Sequence, residues 1–289
     1  MNEVLASRKA IIFYIIPALL LVVLFMYIPL ILTGYYGLME WNGMGEMIFT
    51  GLDHYRRLIG DPLFWDSAKH SLMLGLFSTL ALVAYLIVSL ILSQKMKGAN
   101  LLRKIYLIPM LLSSVAIAQL WLRIYHPTNG IFNTFLIYLG VENPPTWLAD
   151  PNLVLYALFV PIIWQYAGFY ILIYYTALKN ISVDVLEAAS MDGANVWQTA
   201  WKIKVPMIMD IIKVTVILAV VGSLKYFDLI FVMTGGGPNG ASEVLASYMY
   251  RTAFRSFDFG YGSALAFALL LVCLITTVVV RKITTLKGV

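Results

Sequence analysis

The sequence predicts an all-α integral membrane protein with six transmembrane helices, and two observations carry that reading. The 289 residues are 61% hydrophobic and only 12% charged, with a mean hydropathy of +0.84, outside the range of an ordinary soluble domain. The apolar residues also arrive in blocks free of Asp, Glu, Lys and Arg, each long enough as a helix to cross roughly 30 Å of hydrocarbon.

The first block, Ala10 to Met39, follows Arg8 and Lys9 as a signal peptide would. Its apolar run is too long for a signal core and no small-residue cleavage site follows, so it is expected to be a retained helix. His70–Gln94, Ile105–Leu122, Pro151–Leu178 and Phe259–Val280 are the next uncharged blocks. A further span, about Val205 to Met233, is interrupted by Asp210, Lys213, Lys225 and Asp228 but holds the unbroken run Val214–Leu224. Chain organisation follows: residues 1–68 as first span and outer loop, 69–282 as the core transmembrane domain, and 283–289 as a tail. Between Tyr36 and Ala68 the glycines and Pro62 predict a turn-rich cap with short helices.

Six spans place both termini on one side. Arg8, Lys9, Lys95, Lys97, Arg103, Lys104, Lys179, Lys202, Lys204, Arg281, Lys282 and Lys287 fall on that side, against Arg56, Arg57, Lys69, Arg123, Arg251 and Arg255 opposite. The positive-inside rule therefore puts both termini in the cytoplasm. Trp41, Trp65 and Trp147 fall near predicted outer interfaces. The net charge of +5 needs no nucleic-acid partner, because this topology accounts for most of it.

Catalytic motifs do not emerge. His54, His70 and His126 stand apart with no carboxylate at metal-ligand spacing. The single Cys273 permits no intrachain disulfide. "TGGGPNG" (Thr234–Gly240) lacks the Lys-Ser/Thr ending of a phosphate loop and reads as a flexible turn. No aspartyl-phosphate segment is present, so ATP-driven transport would need its ATPase on another chain.

The stretch "EAASMDGANVWQTAWKIKVP" (Glu187–Pro206) is a polar insert between greasy segments. Asp184 and Glu187 have capping-box spacing, Gly193 can supply a left-handed turn, and a second helix can begin at Asn195. Trp197 and Trp201 would share a face there, with Lys202 and Lys204 toward water. A plain re-entry loop would need none of this order, whereas a docking knob for a cytoplasmic partner would need all of it.

Glu187-Ala188-Ala189, then Gly193, Ile203 and Val205-Pro206, resembles the EAA signature of binding-protein-dependent ABC importer permeases, with Val205 replacing the usual leucine. Asp192-Gly193-Ala194, "GLDHYRRL" (Gly51–Leu58) with "DPLFW", "MTGGGPNGASE" (Met233–Glu243) and "FDFGYGSALA" (Phe257–Ala266) match its carbohydrate-uptake branch. The chain is similar to MalF-like members, such as multiple-sugar, raffinose and glycerol-phosphate permease subunits, without the extra N-terminal helices and large insertion of the maltose subunit itself.

The resemblance implies a type I ABC importer permease fold with Glu187, Ala188, Ala189, Asp192 and Gly193 in a cytoplasmic coupling helix. It implies a heterodimer with a second, homologous permease, two cytoplasmic ATPase subunits that bind the ATP and Mg, and an extracytoplasmic solute-binding protein. The chain itself would be no enzyme and hold no cofactor, and would sit in the bacterial cell membrane (inner or cytoplasmic) among lipid. Sugar is the implied solute, a glycerol phosphate the alternative; a secondary transporter is disfavoured because no internal repeat is found.

A sugar path should lie near the midplane, between polar and aromatic side chains. Gln165, Tyr166 and Phe169 in "WQYAGFY", and Ser223 and Tyr226 in "GSLKYFDL", have the helical spacing for it. These positions fall where the maltose-type subunit contacts its sugar, although helix packing alone would also explain each aromatic. Lys225 and Asp228 either pair with a partner chain or lie near the outer interface.

Overall fold

The structure, a computed structural model, describes residues 8–94 and 98–286. Lys95, Lys97 and Lys287, which contribute to the charge argument, lie outside them. In chain order the first elements are α1 (Arg8–Val22), α2 (Ile28–Tyr36), β1 (Met39–Glu40), β2 (Ile48–Phe49), α3 (Asp53–Ile59) and α4 (Pro62–Leu92). Then come α5 (Ala99–Leu111), α6 (Ser114–Ile124), α7 (Ile131–Tyr138), α8 (Val154–Lys179) and α9 (Val183–Met191). The last are α10 (Val196–Gln198), α11 (Val205–Met207), α12 (Met209–Leu224), α13 (Asp228–Met233), α14 (Leu245–Tyr250) and α15 (Phe259–Leu286).

Among the described residues five helical stretches are long and apolar enough to cross a membrane, and a bent pair brings the number to six. The bent pair is the expected third span. Lys104–Leu111 and Ser114–Ile124 meet at 104°, because Pro109 withholds an amide from the last turn of α5 and Leu112 turns extended. Ser113 then caps α6, its side chain accepting from the Ala116 amide at 3.2 Å. The uncharged run Ile105–Leu122 hid this break, since composition does not register a cap. The fifth span is broken too: α12 ends at Leu224 and α13 restarts at Asp228.

The chain divides into two compact units. The first comprises residues 1–62 and 248–271. In it α1 passes through a π-helical stretch, Val23–Tyr27, into α2, which begins with Pro29 at its N-terminus. The loop after α2 carries the expected short helix, α3, and also an antiparallel β1–β2 pair with Met39 opposite Phe49; two-residue strands are too short to announce themselves by alternation. The sequence motifs of this unit meet in one polar cluster. The Asp61 carboxylate accepts from the hydroxyls of Tyr248 and Tyr261 at 2.5 Å each. Arg57 pairs with Asp258 at 2.9 Å and lies 3.9 Å over the Tyr261 ring. Burial, and then the bond to Asp61, pushes the Tyr248 phenol up to about 12, so it stays a donor at neutral pH.

The second unit holds residues 63–247 and 272–289. Here α8 is the central helix, contacted by α5, α6, α12 and α13. Its closest neighbour is α5: a Cβ on Gly168 would collide with the Tyr106 carbonyl, so the two backbones touch where a side chain would stand. Two buried apolar clusters fill the unit, one around Ile117, Leu158 and Leu229 and one around Leu86, Ile171 and Tyr174. "TGGGPNG" is not the loose turn expected. Thr234 and Ser242 bond through their hydroxyls at 2.8 Å, Ser242 donates to the Gly237 carbonyl, and Gly236 lies so near the buried Glu243 carboxylate that no Cβ would fit. The turn is built on an inward carboxylate.

Gly168→Val should therefore force α5 from α8 and destabilise the chain by about 1–3 kcal/mol, read as a lowered Tm in detergent. Gly222→Ala, where an added Cβ meets nothing within 4 Å, should leave Tm unchanged or raised.

Candidate functional site

Polar side chains on membrane-spanning helices are costly unless they face protein or an aqueous cavity. In the second unit they converge. A cavity of about 200 Å³ is lined by Ser78 and Tyr85 of α4, by Tyr166, Phe169 and Tyr170 of α8, and by Ser223 and Tyr226 of the fifth span, with Ile162, Ile163, Leu218, Ala219 and Gly222 between. No charged side chain is among the lining residues.

Hydrogen bonds fix part of this wall. Tyr85 donates to the Ile163 carbonyl at 2.8 Å and stacks on Tyr170, with centroids 5.9 Å apart and planes within 4°. Ser223 donates to Ser78 at 2.8 Å, and Tyr226 donates to Gln165 Oε1 at 3.1 Å. Tyr166 meets the Tyr226 ring edge-on at 6.1 Å. The hydroxyls of Tyr166 and Tyr170 have no protein partner among the described residues and are open to whatever enters.

Of the five path residues read from the sequence, Tyr166, Phe169, Ser223 and Tyr226 line this cavity together. Gln165 does not; it is buried behind the wall and holds Tyr226 in place. Sequence reading missed Ser78, Tyr85 and Tyr170. The signal for Ser78 and Tyr85 was a hydroxyl and a phenol in the apolar part of α4, and Tyr170 lay in the same α8 stretch as Tyr166 and Phe169; only a partner helix could make them meaningful. Lys225 and Asp228 are exposed at the break between α12 and α13, a cation closing one helix and an anion opening the next, as the two dipoles favour. Asp228 also accepts from the Ser114 hydroxyl at 3.2 Å, tying the fifth span's break to the third's.

The polar insert is a helix–turn–helix. In α9, Glu187 and Ala188 are exposed and Ala189 is buried. The expected Asp184–Glu187 capping box is absent: Ser182 occupies the N-cap position and no side chain bonds there, because the helix starts at Val183 and leaves Asp184 inside its first turn. The box belongs to the second helix. Asn195 Oδ1 accepts from the Gln198 amide at 2.8 Å and Gln198 Oε1 accepts from the Asn195 amide at 2.9 Å. Between the helices Asp192 is the C-cap and Gly193 takes φ 77°. The Ala194 amide bonds to the Ala189 carbonyl at 3.0 Å and the Gly193 amide to Ser190 at 3.1 Å, which is a Schellman turn. Trp197 and Trp201 share a face as expected, with rings 5.6 Å apart. Trp197 is exposed, as are Val183, Met191 and Val196. Burial, then the Lys179 charge, lowers Lys204 below the usual lysine range.

An apolar multi-span chain that gathers hydroxyls and phenols around an inner cavity, and exposes a rigid helix–turn–helix, has the build of a membrane transport subunit. Residues 86–285 match the family described as binding-protein-dependent transport system inner membrane component, and the chain belongs to that family. It is 35% identical over 268 residues to a probable ABC transporter permease of Pyrococcus horikoshii, covering 92% of each chain. It is 31% identical to the trehalose/maltose transport system permease MalF of Thermococcus litoralis, covering 93% of this chain and 91% of that one. Its fold matches a chain from a bacterial alginate ABC transporter in complex with an alginate pentasaccharide-bound periplasmic protein, with TM-score 0.83, 22% identity and 98% and 97% of the two chains covered.

Tyr226→Phe should leave Gln165 Oε1 buried without its donor and cost about 1–3 kcal/mol; a lowered Tm with unchanged helix content by circular dichroism is the expected result.

Proposed function

We propose that this permease forms half of the membrane path of an ATP-driven importer of sugars or oligosaccharides. The observation that carries the reading is the uncharged cavity of phenols, serine hydroxyls and one phenylalanine. Aromatic faces pack against the C–H faces of a sugar, while the free hydroxyls of Tyr166 and Tyr170 exchange hydrogen bonds with its own. A glycerol phosphate is disfavoured, because no Lys, Arg or His lines the cavity to offset its charge. The trehalose/maltose role in the relative's name supports the same solute class.

At about 200 Å³ the cavity is smaller than the roughly 300–1,000 Å³ typical of ligand pockets. A second, homologous permease chain would complete it. Glu187, Ala188, Ala189, Asp192 and Gly193 would form the coupling helix, seated in a cleft of a cytoplasmic ATPase, with two such subunits binding the ATP and Mg. An extracytoplasmic solute-binding protein would deliver the sugar. The chain itself would catalyse nothing and would sit in the cell membrane with both termini cytoplasmic. The Schellman turn at Gly193 gives the coupling element a fixed angle, which transmission of ATPase closure to the spans requires.

The test is transport and ATPase activity of the complex reconstituted in proteoliposomes with its gene-neighbour subunits, assayed on a panel of neutral oligosaccharides and glycerol 3-phosphate. Tyr166→Ala should lower sugar uptake by about 2- to 10-fold, the range of one aromatic contact, and leave basal ATPase unchanged. Gly193→Val should abolish stimulation of hydrolysis by loaded binding protein, since a β-branched residue is strained at that φ. Normal uptake in Tyr166→Ala would remove the cavity from the path; full stimulation in Gly193→Val would end the coupling assignment.

A further inference from the structure

At the end of the bent third span, remote in sequence from the cavity lining, lies a second pocket of about 290 Å³. Leu120, Ile124 and Ile131 form its apolar side, and Arg123, His126 and Asn129 its polar side. All three polar residues can present donors to it, and no carboxylate is among the lining residues. Arg123, in the last turn of α6, has no ion-pair partner among the described residues. The His126 tautomer follows from its neighbours. Its Nδ1 accepts from the Thr128 and Asn129 backbone amides at 3.4 and 3.3 Å; an amide can only donate, so the neutral ring carries its proton on Nε2, which is left without a partner. The Asn129 side-chain amide is also unengaged among the described residues.

The loop that presents these groups is fixed from behind. Gly130 donates to the His126 carbonyl at 2.9 Å, and a Cβ on Gly130 would collide with that carbonyl and with Ile124's. The buried Asn133 donates to the carbonyls of Pro127 and Pro145 at 2.9 and 3.2 Å and accepts from Trp147 Nε1 at 2.7 Å. Tyr125 anchors the end of α6 by donating to the Ala157 carbonyl at 2.8 Å. The backbone that carries the donors therefore needs little reordering to receive a ligand.

We propose that this pocket holds a phosphate group. A guanidinium fork, an imidazole N–H and an amide can donate from three directions to one tetrahedral oxyanion. The apolar side and the position at a span's end, where hydrocarbon gives way to headgroups, suit the phosphate of an anionic phospholipid; free phosphate offers the same oxygens. The proposal is independent of which solute the permease carries.

The experiment is native mass spectrometry and thermal melting of the assembled complex, titrated with dihexanoyl-phosphatidylglycerol and, in a separate arm, inorganic phosphate. Saturable binding of the lipid is expected. Arg123→Ala and His126→Ala should each weaken it by roughly tenfold or more, the loss of one charge-assisted or donor contact, and Asn129→Asp should weaken it by repulsion. The Arg123 and Asn129 side chains are exposed and unengaged among the described residues, so unliganded melting should not move in Arg123→Ala or Asn129→Asp, and Arg56→Ala should bind as the wild type. Binding of the lipid alone assigns the site to a headgroup; competition by inorganic phosphate assigns it to the oxyanion itself. No saturable binding of either probe, or wild-type affinity in Arg123→Ala together with Asn129→Asp, overturns the proposal.

Discussion

Hydrocarbon offers no hydrogen bonds, so any backbone group freed inside a span must be satisfied by the protein. That constraint shapes the parts of this chain that are not plain helix. Both the third and the fifth span are interrupted, and each interruption carries its own remedy. Ser113 caps α6, while Lys225 and Asp228 stand at the ends of the two halves of the fifth span. The link from Ser114 to Asp228 makes the remedies mutual. A carboxylate costly in lipid lies instead beside the first residue of α6, accepting from its hydroxyl.

The same constraint explains why the cavity has the lining it has. Serines 78 and 223 and tyrosines 85 and 226 bond to one another or to neighbouring groups, so the wall is stable before anything enters. Among the described residues, the phenols of Tyr166 and Tyr170 remain unengaged at this wall.

The sequence was most informative where one residue decides one geometry. Gly193, flanked by a helix pattern and Asn195, specified a left-handed turn and a following N-terminus, and both are found. Uncharged length was equally legible, and it located the spans. Legibility failed where two distant segments must meet. Asp184 and Glu187 have the spacing of a box, but the helix starts two residues earlier than that box requires. Gln165 has the right face for the cavity, yet its amide is taken by Tyr226. Tyr85 and Tyr170 become wall residues only because α4 and α8 lie side by side, a fact no local pattern contains. The glycine-rich turn looked loose because its organising group, Glu243, follows it in sequence and points inward.

One contact sets how this chain is able to move. With Gly168 against the Tyr106 carbonyl, α5 and α8 have no side-chain cushion between them, so sliding or rolling one over the other exchanges a close fit for a void or a clash. That crossing is a stiff coordinate. The backbone leaves the helix at Leu112–Ser113 and Lys225–Phe227, yet Tyr226 is bonded to Gln165 and Ile117, Leu229 and Ile230 beyond the breaks are buried. The α5–α8 pair is therefore the frame against which any displacement of the neighbouring helices is measured.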